Sequence, residues 1–301
     1  MKRAVIDIGT NSTRLYVAQT EKAVQVPLFK DLATTRLGEG INASSIMGRE
    51  PMLRTEKQIC EFIKKAKAAG AEKIYVYATA VVREAKNRDG FVESVFKASG
   101  EKINVISGEL EGRIAYLGAA EGKKDAGVID IGGGSTEVVT CFEGQMRALS
   151  QKTGGVRLKE MFETPSGRVD TDKVREYVKN EFVPAYDAVT HISKAGELIG
   201  VSGTPTTIAS LSAGLKNYCP EKIQGAELSL NVLDGELQKL ADMTGVQRAE
   251  YSGDFAPRAD IIVYGGCILS AFMHFYGFDK ITVSDRDSLE GYMEYMLQTE
   301  G

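Results

Sequence analysis

Tryptophan is absent from the 301 residues, and only two histidines occur, His191 and His274. One falls near the end of a polar helical stretch and the other inside an apolar one, which excludes a histidine phosphatase or a histidine-rich metal site. The four cysteines, Cys60, Cys141, Cys219 and Cys267, are widely spread and form no C-x-x-C pair, so neither a disulfide framework nor a zinc site is expected. That usage fits a reducing cytoplasm. Basic excess is lacking too: the formal net charge of −4 argues against a nucleic-acid binder held by a global positive field. A polyanionic ligand must therefore meet a local cluster of Arg and Lys. No signal peptide is expected at the start, where Asp7 interrupts a very short apolar run. The longest apolar stretch, Ile261 to Gly277, contains Gly265, Gly266, Ser270 and His274 and falls short of the roughly 20 residues of a membrane span. It is expected to be a buried helix, with no membrane contact.

What remains is an ordinary globular composition, 43% hydrophobic and 26% charged, in a chain long enough for two lobes. An internal repeat supports that division. Asp7-Ile8-Gly9-Thr10-Asn11-Ser12-Thr13-Arg14 returns as Asp130-Ile131-Gly132-Gly133-Gly134-Ser135-Thr136-Glu137, with five of eight positions identical. Each copy lies between two apolar runs, which reads as strand, tight glycine turn, strand. Strand-like and helical stretches alternate around them, the pattern of an α/β fold with two duplicated lobes facing each other. Helices are expected from Thr55 to Ala69, around Phe91 to Phe96, from Asp172 to Phe182, from Pro205 to Ser212, from Asn231 to Met243 and from Asp287 to Leu297. The lobes are expected to span residues 1–122 and 123–286, with the final helix, 287–301, crossing back to the first.

A glycine turn lets backbone N–H groups approach an anion, and the neighbouring Ser and Thr hydroxyls add donors. One such turn could be a plain hairpin. The duplicate, keeping Asp before the glycine and Ser-Thr after it, favours phosphate binding by Asp7, Gly9, Thr10, Asn11, Ser12, Thr13 and Arg14 and by Gly132, Gly133, Gly134, Ser135 and Thr136. A third glycine element, with Gly203 and Thr204, joins a strand to a helix start and suits an anion or nucleotide. Asp7, Asp130 and Glu137 offer oxygen ligands of the kind that suits Mg²⁺ or Mn²⁺. Glu109 and Glu111 stand where a strand gives way to a helix, either as dipole partners or as a base. Cys141 to Arg147 satisfies C-x5-R, but Glu143-Gly144 between them reads as a hairpin turn and not as a phosphate-wrapping loop.

These residues resemble the Ppx/GppA exopolyphosphatase and guanosine pentaphosphate phosphohydrolase family, of the actin-like ATPase superfamily. The resemblance rests on both hairpins, Arg36 to Gly40, Ala78-Thr79-Ala80 with Arg83 and Asn87, Ser107-Gly108 with Glu111 and Arg113, Gly154 to Leu158, Gly203-Thr204, and Arg258-Ala259-Asp260. It implies two actin-like, ribonuclease H-like lobes with an interlobe cleft, Glu111 as general base, Asp130 and Glu137 organising metal and water, and phosphate contact by the first hairpin and Arg83. Inorganic polyphosphate is the expected substrate, with guanosine pentaphosphate (pppGpp) as the alternative, and a homodimer is compatible. A kinase and a non-catalytic phosphate-chain sensor are the rival classes. The pattern departs from the family at Leu110, where paired glutamates are frequent. It departs again at Asp287-Ser288-Leu289, where Gly-Leu-Arg is frequent. The helical carboxy-terminal domain of the longer relatives is not in this sequence.

Overall fold

The repeated octapeptide builds the first hairpin of each of two sheets. Strand β1 (Lys2–Ile8) pairs antiparallel with β2 (Thr13–Glu21), setting Asp7 opposite Arg14. Strand β6 (Ala126–Ile131) pairs in the same way with β7 (Thr136–Phe142), setting Asp130 opposite Glu137. The computed structural model describes residues 1–22, 24–123 and 125–300.

Adding β3 (Val24–Ala33), β4 (Lys73–Ala78) and β5 (Ile103–Val105) completes the first sheet in the order β3-β2-β1-β4-β5. The second sheet contains β8 (Gln145–Gln151), β9 (Glu197–Val201), β10 (Glu227–Ser229) and β11 (Lys280–Val283), in the order β10-β11-β9-β6-β7-β8. Apart from the extra edge strand β10, the two orders superimpose: three antiparallel strands followed by two parallel ones. This is a duplicated ribonuclease H-like lobe of the actin type. The chain divides accordingly into one unit of Met1–Gly118 with the terminal segment that starts at Ser288, and a second of Ala119–Asp287.

Each unit has its own core. Central strands β1 and β6 are almost wholly buried because both faces are covered, which explains their continuous apolar runs. In the first unit the helix Arg49–Ala68 lays Ile59, Phe62, Ile63 and Ala66 against the sheet, starting six residues before the expected Thr55. Pro51 near its start fits the first turn of a helix, where no backbone donor is needed. On the other face the terminal helix Ser288–Glu300 buries Leu289, Tyr292 and Met293, side chains worth about 1.5–3 kcal/mol each on full burial. In the second unit the long apolar stretch forms the helix Ile262–Tyr276, buried from Ile262 through Met273. Gly266 makes this packing possible, since a Cβ there would lie 2.2 Å from Leu237 Cδ2. Among the described residues no single helix is long and apolar enough to cross a membrane.

Strands β3 and β8 lack the apolar signature of their neighbours. Both are edge strands whose residues are half-buried or exposed, so neither carries a continuous apolar run. Pro27 is tolerated within β3 because an edge strand has one side without a ladder partner. Cys141 and Arg147 lie on the two arms of the β7–β8 hairpin, and the positive φ of Glu143 and Gly144 (50° and 75°) gives the tight turn expected between them.

Candidate functional site

The two glycine turns close on the same hydrogen bond and are covered in similar ways, with the covering bonds shifted by one carbonyl. Gly9 N donates to Ser12 O and Gly132 N to Ser135 O, each at 3.0 Å. The segment after the third strand then folds over each turn and donates to its carbonyls. In the first unit Arg36 N reaches Asn11 O at 2.8 Å and Gly38 N reaches Thr10 O at 2.9 Å. In the second, Gly155 N reaches Gly132 O at 3.0 Å and Val156 N reaches Gly133 O at 2.9 Å. With the carbonyl side taken by backbone donors, the amide side of each turn is the one suited to an anion. Thr10, Asn11, Ser12 and Thr13 are buried around the first turn, and Ser135 and Thr136 around the second. The Thr13 hydroxyl meets that of Thr35 at 3.0 Å, while Thr136 Oγ1 donates to Thr153 O at 2.7 Å. These hydroxyls staple the turn to the following segment.

Charge separates the two copies. The Arg14 guanidinium donates to Asp7 Oδ2 through Nε at 2.9 Å and Nη2 at 2.6 Å, so the first turn sits beside a neutralised pair. At the equivalent place in the second unit two buried carboxylates, Asp130 and Glu137, face each other across the strands, 6% and 1% exposed. Like charges at directly opposed positions repel. Ser150, opposite Glu137 on β8, donates to its Oε1 at 2.6 Å. The charge is felt farther away: burial, and then the field of Glu137, push the Tyr186 hydroxyl well above its usual range.

Glu111 lies in the first turn of the helix Gly108–Ala119, whose start is capped by Ser107 Oγ accepting from Leu110 N at 3.1 Å. Arg83 Nη1 donates to Glu111 Oε2 at 2.9 Å and to Ile106 O at 3.0 Å. The structure thus brings Arg83 onto the candidate base. Glu109 pairs instead with Arg113 at 2.7 Å on the exposed side of the helix. Leu289 belongs to an apolar cluster with Val5, Tyr16 and Ile114, and Leu110 packs against the same cluster, so two of the departures from the family pattern fall in one core.

The third glycine element opens the helix Gly203–Ser212. Ser202 before it has φ 66° and ψ −166°, a backbone state that non-glycine residues rarely adopt and that is typical of functional loops. A Cβ on Gly203 would lie 1.9 Å from Arg258 Nη1, so only glycine lets that guanidinium lie across the helix start. Thr204 is buried, its hydroxyl 3.5 Å from Ile131 O at the end of β6.

Of the three proposed metal ligands, Asp7 belongs to the first unit and Asp130 and Glu137 to the second. Among the described residues no group of three or more His, Cys, Asp or Glu is arranged to hold an ion by itself. The Asp130–Glu137 pair nonetheless fits Mg²⁺, which takes one or two carboxylates and completes its shell with water and phosphate oxygens. Asp7, clamped by Arg14, fits it less well. Sequence reasoning missed Ser150 and Ser288. The register of the two-residue turn at Glu143-Gly144 would have found Ser150, which it sets opposite Glu137, whereas Ser288 lies 274 positions from the Arg14 it contacts.

The profile of the Ppx/GppA phosphatase family matches residues 16–300. The chain belongs to this family. It is 32% identical over 96% of its length to a bifunctional 3-dehydroquinate synthase/phosphatase of Fusobacterium nucleatum, and spans 46% of that protein. It is 29% identical to exopolyphosphatase 2 of Mycobacterium tuberculosis, with 96% of both chains covered. Among solved structures, an exopolyphosphatase-like protein superimposes with a TM-score of 0.90 at 27% identity over the whole of both chains. A Ppx/GppA family member from Aquifex aeolicus follows at 0.79 and 26%, covering 100% of this chain and 99% of its own.

Proposed function

We propose that the chain is an exopolyphosphatase that removes terminal phosphates from inorganic polyphosphate. The observation that carries this reading is the second hairpin: a glycine turn with its amide side suited to phosphate, beside two opposed buried carboxylates. Phosphoryl transfer is catalysed chiefly by positioning and by charge stabilisation. In this reading the turns at Gly9 to Ser12 and Gly132 to Ser135 bind phosphate oxygens, and Gly203 and Arg258 receive a further one. Mg²⁺ or Mn²⁺ held by Asp130 and Glu137 would screen the charge on the transferred group. Glu111, oriented by Arg83, takes the proton of the attacking water, and the leaving oxygen departs on the shortened chain.

Polyphosphate is favoured over pppGpp by the side chains the sequence offers. The sequence supplies Arg14, Arg36, Arg83, Arg88, Lys152 and Arg157 for a run of phosphates and no tryptophan for a base. Phosphate release from short polyphosphate and from pppGpp, measured side by side, tests the assignment. A higher kcat/KM for polyphosphate is expected, and a clear preference for pppGpp would overturn the substrate while leaving the chemistry. For the base, Glu111→Gln should lower kcat by about 10²–10⁴-fold with binding retained; turnover close to that of the unaltered enzyme would remove Glu111 from that role.

A further inference from the structure

We infer that Ser288 is a positioning residue for the first phosphate turn, an inference that rests on that turn binding phosphate. Strands β2, β1, β4 and β5 carry Arg14, Asp7, Tyr77 and Asn104 as successive partners, one row across the sheet. The terminal helix lies over this row with residues 288 and 292, one turn apart and hence on the same face. Ser288 Oγ accepts from Arg14 Nη2 at 2.9 Å and from Tyr77 OH at 3.1 Å. Tyr292 stacks on Tyr77 with centroids 4.3 Å apart and accepts from Asn104 Nδ2 at 2.9 Å. Gly291 between them brings the helix against the backbone of Ile114, where a Cβ would lie 1.7 Å from the carbonyl oxygen. Ser288 is therefore held on a fixed helix and is itself 4% exposed. Its oxygen meets the same guanidinium nitrogen, Nη2, that donates to Asp7 Oδ2 at 2.6 Å.

The consequence is electrostatic. As long as Arg14 stays on Asp7, the turn at Gly9 presents its amides next to a neutral pair. If the guanidinium swings away, a carboxylate is uncovered beside a site for phosphate, and a buried charge that loses its partner is strongly felt. Ser288 acts through Arg14, so its loss should weaken substrate binding and spare the chemical step. The usual family pattern quoted above has Leu at this position, which offers no such acceptor.

A double-mutant cycle tests the inference. Ser288→Ala should raise KM for short polyphosphate by about tenfold or more, the effect of losing a hydrogen bond to a charged group, with kcat changed less than twofold. Ser288→Thr, which keeps the hydroxyl, should stay close to the unaltered enzyme. In an Arg14→Ala background, Ser288→Ala should add nothing. An unchanged KM in Ser288→Ala, an equal rise in Ser288→Thr, or full additivity with Arg14→Ala would overturn it. If Arg14→Ala itself leaves KM unmoved, the phosphate assignment of the turn fails. The positioning is then judged by hydrogen exchange of the Arg14 Nε–H, followed by nuclear magnetic resonance without substrate. Ser288→Ala should speed that exchange about tenfold, and an unchanged rate would show that Ser288 does not hold the guanidinium.

Discussion

The two hairpins share a backbone and differ in sign. In both, a strand ends in Asp-Ile-Gly, the glycine amide closes the turn on a serine carbonyl, and a downstream segment covers the carbonyls. Opposite the aspartate stands Arg14 in one copy and Glu137 in the other. Each of these residues has a serine hydroxyl, with roles reversed: Ser288 accepts from Arg14, and Ser150 donates to Glu137. One substitution at one register position thus puts a second carboxylate where the first copy has a guanidinium. Duplication supplied the geometry, and divergence at position eight of the repeat supplied the difference in charge.

The comparison is broken most severely by discharging the acidic copy. Glu137→Gln keeps shape and a partner for Ser150 but removes one of two opposed charges, and kcat should fall by about 10²–10³-fold, as when a group stabilising transition-state charge is lost. Steady-state kinetics at saturating Mg²⁺ checks this. The corresponding change in the neutral copy should act differently: Arg14→Ala uncovers Asp7 and should raise KM by about tenfold or more while kcat moves little.

How firmly each turn is held is a finer distinction. A Cβ on Gly154 would lie 2.5 Å from the carbonyl oxygen of Gly133, a backbone atom with no freedom to move aside. At Gly38 the nearest atom is Thr10 Cγ2 at 2.3 Å, the end of a side chain that can rotate. Gly154→Ala should therefore cost about 1–3 kcal/mol and Gly38→Ala less, measured as denaturant midpoints at constant m-value. Equal losses would mean that both covers are equally rigid.

Much of this was legible because the repeat is local. Glycine, the flanking hydroxyls and the strand signatures lie within eight residues of each other, so the hairpins, the parallel lobes and the charge difference can be read from the chain. The buried helix Ile262–Tyr276 was legible for a similar reason, its apolar run being longer than a strand and shorter than a span. The edge strands β3 and β8 were not, because exposure on one side removes the apolar pattern. The return of the final helix to the first lobe was expected, but not the Ser288–Arg14 contact, because the rotation of that helix on the sheet is set by packing between residues far apart in sequence. Leu110 and Leu289 read in sequence as two separate losses of charge. In the fold both belong to one apolar cluster, where apolar packing of similar volume can replace buried charged groups without loss of stability.

In the proposed mechanism the acidic copy, and not the neutral one, holds the divalent cation. The most direct test is the Mg²⁺ concentration for half-maximal phosphate release in Glu137→Gln and in Asp7→Asn, each against the unaltered enzyme. A rise of about tenfold or more is expected for Glu137→Gln and less than about threefold for Asp7→Asn, since the Arg14 guanidinium lies on Asp7 whereas Asp130 and Glu137 stand opposite each other on paired strands. Equal shifts in the two variants, or a larger one in Asp7→Asn, would contradict it.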